Sequence, residues 1–363
     1  MKCFAPSLRL RLLLVALTSL FGCHAPAVHT VERTQVLMDT AITLKIFLAE
    51  RKDEPRALAC IDSAFIALTR LDSSLSSYRQ DSEIASVNRN AQPTRVSATL
   101  DSLLRAAHDV SRKTAGAFDI TIAPVLRLWG FGTDTLDVPT DAEITSRLPL
   151  VNFRHLKLRH ESAPHALTSL PTNTSFMSFE QPGMAIDLGG IAKGYAADVA
   201  ARIFSQHGFH DYLIAAGGDL HMAATTLTAG QRYIWIKHPR RREQFFARFR
   251  LDRGAVSTSG DYERYFEREG KRYHHILDPV TGYPAGLNPT GAQLVSVTVV
   301  TNRTVYSDAF ATAFFVMGLE RGLALAEQLP ALEAVFVFSS DDKLQARATS
   351  GLKDQLEIIE TEF

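Results

Sequence analysis

Four separated islands concentrate residue types suited to chemistry: glycine for close backbone approach, aspartate, lysine and histidine for charge and protons, and hydroxyls for ligation. The first runs Gly116-Ala117-Phe118-Asp119-Ile120-Thr121, with Pro124 and Leu128-Trp129-Gly130-Phe131-Gly132 behind it. The second is Ile186-Asp187-Leu188-Gly189-Gly190-Ile191-Ala192-Lys193-Gly194-Tyr195. The third joins Ser257-Thr258-Ser259-Gly260-Asp261-Tyr262 to His274-His275-Ile276-Leu277-Asp278-Pro279-Val280-Thr281-Gly282, and the fourth is Ser307-Asp308-Ala309-Phe310-Ala311-Thr312.

In the second island, glycines at a strand-to-helix turn let the backbone approach a ligand, and amides opening the helix can face an anion. Lys193, in the first turn, could then reach a phosphate. The spacing is neither that of a P-loop nor Gly-x-Gly-x-x-Gly, and a glycine-rich turn alone is more often just a turn. In the fourth island, Asp308 and Thr312 are four apart and share a helix face in otherwise apolar sequence. Such hard oxygen donors suit Mg²⁺, which keeps waters and shares phosphate oxygens with a substrate. A helix N-cap by Asp308 beside an ordinary threonine accounts for the same pair. His274 and His275, adjacent on a strand, point to opposite faces, so one of them at most faces inward. No Gly-x-Ser-x-Gly occurs, which leaves a serine hydrolase poorly supported.

These islands need elements to hold them. Alternation predicts a strand over 41–47. Pro55 opens a helix whose Leu58, Ile61, Phe65, Leu68 and Leu71 form one buried stripe. Ser97 or Thr99 caps a second helix carrying Leu100, Leu103, Leu104 and Ala107. A polar segment, 76–83, lies between them, and 130–171 reads as loop-rich, with short strand candidates such as Leu156-Lys157-Leu158. Met184–Asp187 reads as a strand running into Gly189-Gly190 and a helix over 192–206, stopped by Gly208. Strands follow at 212–215, 233–236, 245–251 and 294–300, then a helix over 308–317 resuming past Gly318 to 328, and a strand at 335–338. Without a regular βαβ rhythm the fold class is α+β, with mixed sheets and packed helices.

Charge is balanced, 39 basic against 39 acidic residues, so the electrostatic footprint of a nucleic-acid binder is missing and that class starts low. The amino terminus is distinct. Lys2, Arg9 and Arg11 precede an apolar stretch from Leu12 to Phe21, too short for a permanent span, which matches a secretory signal. Leu20-Phe21-Gly22-Cys23 resembles a bacterial lipobox, with Phe21 bulkier than usual for its slot. The expected organisation is a signal with lipobox cysteine over 1–23, a linker over 24–32 and one domain over 33–363. An exported lipoprotein, membrane-anchored through Cys23 and facing the periplasm, follows; a plain secreted protein is the alternative. Cys60 stands alone in the body and shares an apolar face with Ala57, Ala64 and Phe65, as a buried structural thiol does.

Together and in order, these islands, with Met38-Asp39-Thr40, Ser77-Tyr78-Arg79 and Ser82-Glu83, resemble the ApbE family of FAD:protein FMN transferases. The likeness runs from Met38 to about Gly318. It implies a single T-fold-related domain that moves FMN from FAD to a Thr or Ser hydroxyl of an acceptor protein, releasing AMP. Such an acceptor would be a membrane or periplasmic redox subunit. By the same resemblance, Met38 and Tyr78 line the flavin pocket, and Ala117, Phe118, Asp119, Asp187, Lys193 and Ile276 contact FAD. Mg²⁺ takes the Gly190 carbonyl, Asp308 and Thr312. Some relatives add an acidic ligand where this chain has Ala311, so water must fill that place. Mg²⁺ and Lys193 would offset charge on the pyrophosphate, and His275 is the candidate general base, with Asp187 or a metal-bound water as alternatives. Asp39 departs from the family's glycine in Met-Gly-Thr. Two rival readings remain: an FAD pyrophosphatase using water in the same site, and a lipoprotein that only binds flavin.

Overall fold

An eight-stranded antiparallel sheet frames the protein in its computed structural model, which describes residues 28–359 apart from 91, 132, 134, 164–171, 226, 231, 242, 288–291 and 342. The signal, the lipobox and Cys23 lie outside the described residues. The sheet's strands are β1 (His29–Leu37), β2 (Thr40–Leu48), β3 (Tyr212–Ala216), β4 (Asp219–Ala223), β5 (Gly254–Gly260), β6 (Gln293–Thr301), β7 (Glu333–Ser340) and β8 (Lys343–Ala348), and they lie side by side in that order. Four long helices are α1 (Glu54–Leu75), α2 (Ala98–Lys113), α3 (Ala192–Gln206) and α4 (Thr304–Met317). The result is one domain of helices and antiparallel sheets, as the α+β expectation requires.

The layering follows from which faces are apolar. β2 buries Ile42, Leu44, Ile46 and Leu48 on one face, the period-two pattern of a sheet covered by helices. β6 is buried on both faces. Val297 and Val299 join the helical core, whereas Val300 joins a second core under a small three-stranded sheet (233–237, 245–250, 357–358). A register shift between Leu294 and Ser296 turns Val295 to that second core as well. α4 lies between the sheet and α3 and is apolar on nearly every side, so a charge there stands out.

Ser97 does cap α2, its hydroxyl accepting the Leu100 amide at 3.1 Å. Four expectations need correction. The sheet begins at His29, so part of the expected linker over 24–32 is strand. Among the described residues Met184–Asp187 pairs with no strand. Instead Asn88 bonds both the amide and the carbonyl of Ile186, at 2.8 and 2.9 Å, and the Asp187 amide donates to Ile120. The loop-rich stretch holds a helix at Asp141–Arg147, and its strand candidate at Leu156-Lys157-Leu158 is borne out but runs on to Ala163, pairing with Thr172–Phe179. α4 starts at Thr304, four residues before the expected start. Its first amides are capped from α3, where the Asp198 carboxylate accepts from Thr304 at 2.7 Å and from Val305 at 3.3 Å. Asp308 therefore sits in the second turn and is not a cap. Among the described residues no helix is long and apolar enough to cross a membrane.

Candidate active site

The start of α3 meets α4 at closest approach through a glycine. A Cβ at Gly194 would lie 2.8 Å from the Asp308 Cβ and would strike the Thr304 carbonyl, so only glycine fits. The contact brings the Gly194 amide to Asp308 Oδ2 at 3.0 Å. One residue earlier, the Lys193 ammonium donates to the Gly189 carbonyl at 3.1 Å and lies 3.8 Å from Asp308 Oδ2. A second carboxylate, Asp219 at the start of β4, is 3.6 Å away.

Both carboxylates are buried, and one ammonium faces the two of them. Burial raises Asp308, with Lys193 and the Gly194 amide opposing. Burial, reinforced by Asp308, pushes Asp219 up to about 7. Burial works against the Lys193 charge, yet Asp308 and Asp219 outweigh it and raise its pKa.

Beside this cluster, the space at Gly190 is bounded by the Phe118 ring and the Thr312 hydroxyl, 3.2 and 3.4 Å from where a Cβ would stand. Thr312 also shares a hydrogen bond with Ser259 at 3.3 Å. Gly190, Phe118, Thr312, Asp308 and Lys193 thus come together from three islands. The donor chemistry fits a hard divalent cation, with a carboxylate and a hydroxyl beside a glycine turn. Two carboxylates face the one Lys193 ammonium, and Asp219 Oδ2 is buried without a hydrogen-bond partner.

The two histidines find different partners, and only His274 belongs to the strand, which ends there. His274 is buried, its Nε2 donating to the Ala285 carbonyl at 3.0 Å and its Nδ1 accepting from the Ile276 amide at 3.3 Å. Both ring nitrogens are engaged, and burial lowers its pKa. His275 donates Nδ1–H to the Arg264 carbonyl at 3.1 Å, which leaves Nε2 with its lone pair. Burial drives His275 down to about 3, with Arg264 and Lys193 adding to the effect, so the ring is neutral at physiological pH.

Tyr78 is exposed, and its hydroxyl is raised first by burial, then by the charges of Asp187 and Asp39, against Arg264. The charges of Asp187, Asp39 and Arg264 all reach the Tyr78 hydroxyl. Met38 and Asp39 form the two-residue turn between β1 and β2, both with positive φ, 53° and 56°. Such turns favour glycine or Asp/Asn at these positions, so Asp39 fits the turn. The Asp187 side chain folds onto the Gly189 amide at 2.8 Å.

Other residues of the islands hold the frame. The Asp119 carboxylate accepts from the Thr121 amide and hydroxyl and from the Phe153 amide, at 2.8, 2.6 and 2.8 Å. Its side chain is thus occupied internally, while Ala117 and Phe118 precede it toward Gly190. Ile276 is buried, its amide on His274 and its carbonyl on the Ala285 amide. Ser82 caps the helix at Glu83–Arg89, and Glu83 binds Ser97. The Asp278–Gly282 turn is fixed by the Trp129 indole donating to Gly282 at 2.9 Å.

Asp219 and Arg264 were not legible as site residues. Asp219 follows Gly217-Gly218, the glycine–aspartate company that marked the other islands, and that signal could have found it. Arg264 reads as one more surface cation between strands; its guanidinium makes no ion pair among the described residues.

The ApbE family model matches residues 38–336, a span that contains every site residue above. An FAD:protein FMN transferase of Treponema pallidum (strain Nichols) is 32% identical over 370 residues, covering 98% of this chain and 97% of that protein. One from Vibrio cholerae serotype O1 is 32% identical over 352 residues, covering 94% and 97%. Among solved structures, the apo form of the Pseudomonas stutzeri flavinyl transferase ApbE superposes with a TM-score of 0.75 at 29% identity, covering 90% of this chain and 97% of that one. The flavin transferase ApbE from Vibrio cholerae gives 0.74 at 28%, covering 90% and 99%.

Proposed function

The chain belongs to the ApbE family, and from that premise we propose that it is a transferase moving FMN from FAD to a Thr or Ser hydroxyl of another protein, with AMP released. The observation that supports this most is the Lys193 ammonium at the start of α3, 3.8 Å from Asp308 Oδ2, beside the space bounded by Gly190 and Thr312.

The FAD pyrophosphate is read as lying against the start of α3, where Lys193 offsets charge building on the phosphorus centre. Tyr78 and Met38 give the isoalloxazine an aromatic and an apolar face, and Phe118 bounds the space near Gly190. Asp308, Thr312 and the Gly190 carbonyl would hold Mg²⁺, which when bound supplies Lewis-acid neutralisation of the phosphates. The acceptor oxygen attacks the FMN-side phosphorus and its proton passes to His275 Nε2. A phosphoester bond to the acceptor forms as the bond to AMP breaks.

The envelope reading carries over as part of the proposal: export by the amino-terminal signal, anchoring through Cys23, and a membrane or periplasmic redox subunit as acceptor. Incubation with FAD, Mg²⁺ and an acceptor fragment bearing Asp-Gly-x-Ser/Thr-Gly-Ala-Thr should give a covalently fluorescent acceptor and AMP. Free FMN with an unlabelled acceptor would instead assign a pyrophosphatase. FAD binding with neither product would leave only a flavin-binding protein.

A further inference from the structure

Three buried aspartates show how differently this fold treats a carboxylate. Asp211 is fully used: it accepts from the Thr225 amide and hydroxyl, the Thr228 hydroxyl and Arg232, at 2.6–3.0 Å. Asp261 takes both prongs of Arg240, at 2.8 and 2.7 Å. Those two hold loops and strands together. Asp219 is as buried as either, 2% exposed, yet its Oδ2 has no hydrogen-bond partner and faces the Lys193 ammonium from 3.6 Å. A carboxylate kept dry with an unsatisfied oxygen weakens a fold unless another task retains it.

Its surroundings say what that task is. Asp219 opens β4 directly after the Gly217-Gly218 turn, opposite Ser257 in the ladder with β5. Lys193 lies between it and Asp308, with the Gly189 carbonyl as a third contact. Asp308 already accepts the Gly194 amide and, on the reading above, is also committed to the metal. A divalent ion sharing that carboxylate would repel a neighbouring ammonium, favouring its displacement. A second carboxylate, on the side of Lys193 supplied by β4, opposes that displacement.

We propose that Asp219 is a positioning residue, the buried partner that holds the Lys193 ammonium in place and aimed at the FAD pyrophosphate while Asp308 serves the metal. The proposal rests on the transferase reading. It assigns Asp219 no contact with substrate or ion; it acts through Lys193.

The test uses the full chain, FAD, Mg²⁺ and the acceptor fragment, with AMP release as the rate. Asp219→Asn should lower kcat by about 10- to 100-fold, as loss of a charge acting in the transition state does. FAD affinity, from flavin fluorescence, and Mg²⁺ affinity, from calorimetry, should each change less than about fivefold, since no direct contact is lost. In a Lys193→Met background the same substitution should change the residual rate by less than about twofold, because residues acting as a unit are not additive. Asp219→Glu should restore part of the loss. A Mg²⁺ affinity weakened more than about tenfold would make Asp219 a ligand instead, and a full loss persisting without Lys193 would give it an independent role. Failure of both the Asn and Glu variants to fold would make it structural. Each of these three results overturns the proposal. Failure of the transferase reading itself appears separately, as a wild-type chain that releases no AMP.

Discussion

The Gly194 amide donates to Asp308 Oδ2 at 3.0 Å, tying the first turn of α3 to the second turn of α4. The bond exists because the two helices touch backbone to side chain there, with no room for a Cβ. Gly194→Ala should therefore push the helices apart, costing about 1–3 kcal/mol in denaturant unfolding, and should lower turnover by moving Asp308. Stability and rate both at wild-type level would show that the close approach is dispensable.

Asp308→Ala should abolish Mg²⁺-dependent AMP release while FAD still binds. Asp308→Asn, which keeps the shape, should be nearly as damaging if the carboxylate charge serves the ion. Activity retained at ordinary Mg²⁺ concentration in either variant would refute the metal assignment.

His275→Gln should cut kcat by about 10²- to 10⁴-fold, the usual share of a general base, with little change in FAD binding. The same ring makes a pH prediction. Burial drives His275 from 6.5 to about 3 and also lowers His274. Both pKa values are depressed on folding, so both contributions are complete above about pH 6.5, and that of His275 is lost as pH falls toward 3. Thermal melting between pH 7.5 and 4 should show this loss, and His275→Gln should flatten it. An unchanged slope in the variant would mean the acid sensitivity comes from other groups.

What was legible in the sequence was whatever local pattern decides. α3 occupies the residues its pattern predicts, and the stripe of Leu58, Ile61, Phe65, Leu68 and Leu71 lies within α1. His274 closes its strand, and His275 just beyond it bonds to the Arg264 carbonyl instead, a partner that sequence alone does not name. What was hidden depends on distant partners. Nothing near Thr304 says that Asp198, more than a hundred residues away, caps α4, so the helix start was misplaced and Asp308 looked like a cap. Asn88 replaces a strand neighbour for Ile186, and no period records that. Asp219 acquires meaning only once β4 is set beside α3. The strand at Gly254–Gly260 was missed because its glycines and serines have low strand propensity; burial between two cores overrides that.

Asp39→Gly tests the turn between β1 and β2. The backbone there has φ of 56°, which glycine adopts more freely, so the substitution should leave stability equal or slightly higher. It also removes a negative charge that reaches Tyr78. FAD is anionic, so its affinity should tighten by about two- to fivefold at low salt, the scale of an exposed charge interaction, and the gain should shrink as salt rises. Weaker binding would instead assign Asp39 a favourable contact with the flavin.

The anchor is tested at Cys23. The basic head, apolar stretch and cysteine of the first 23 residues are the pattern of an exported lipoprotein, in which the cysteine carries the acyl chains. A domain held this way needs no spanning helix of its own. In the mature protein Cys23 would lie six residues before the first strand residue, His29, a reach of about 20 Å when extended. Cys23→Ser should move the protein from the membrane fraction to the soluble envelope fraction, with FMN transfer to a soluble acceptor fragment unchanged. Transfer to a membrane-embedded acceptor should fall, because a tether raises the local concentration of the enzyme at that surface. Membrane retention of the Ser variant would remove Cys23 as the anchor and return the amino terminus to the plain secretory reading.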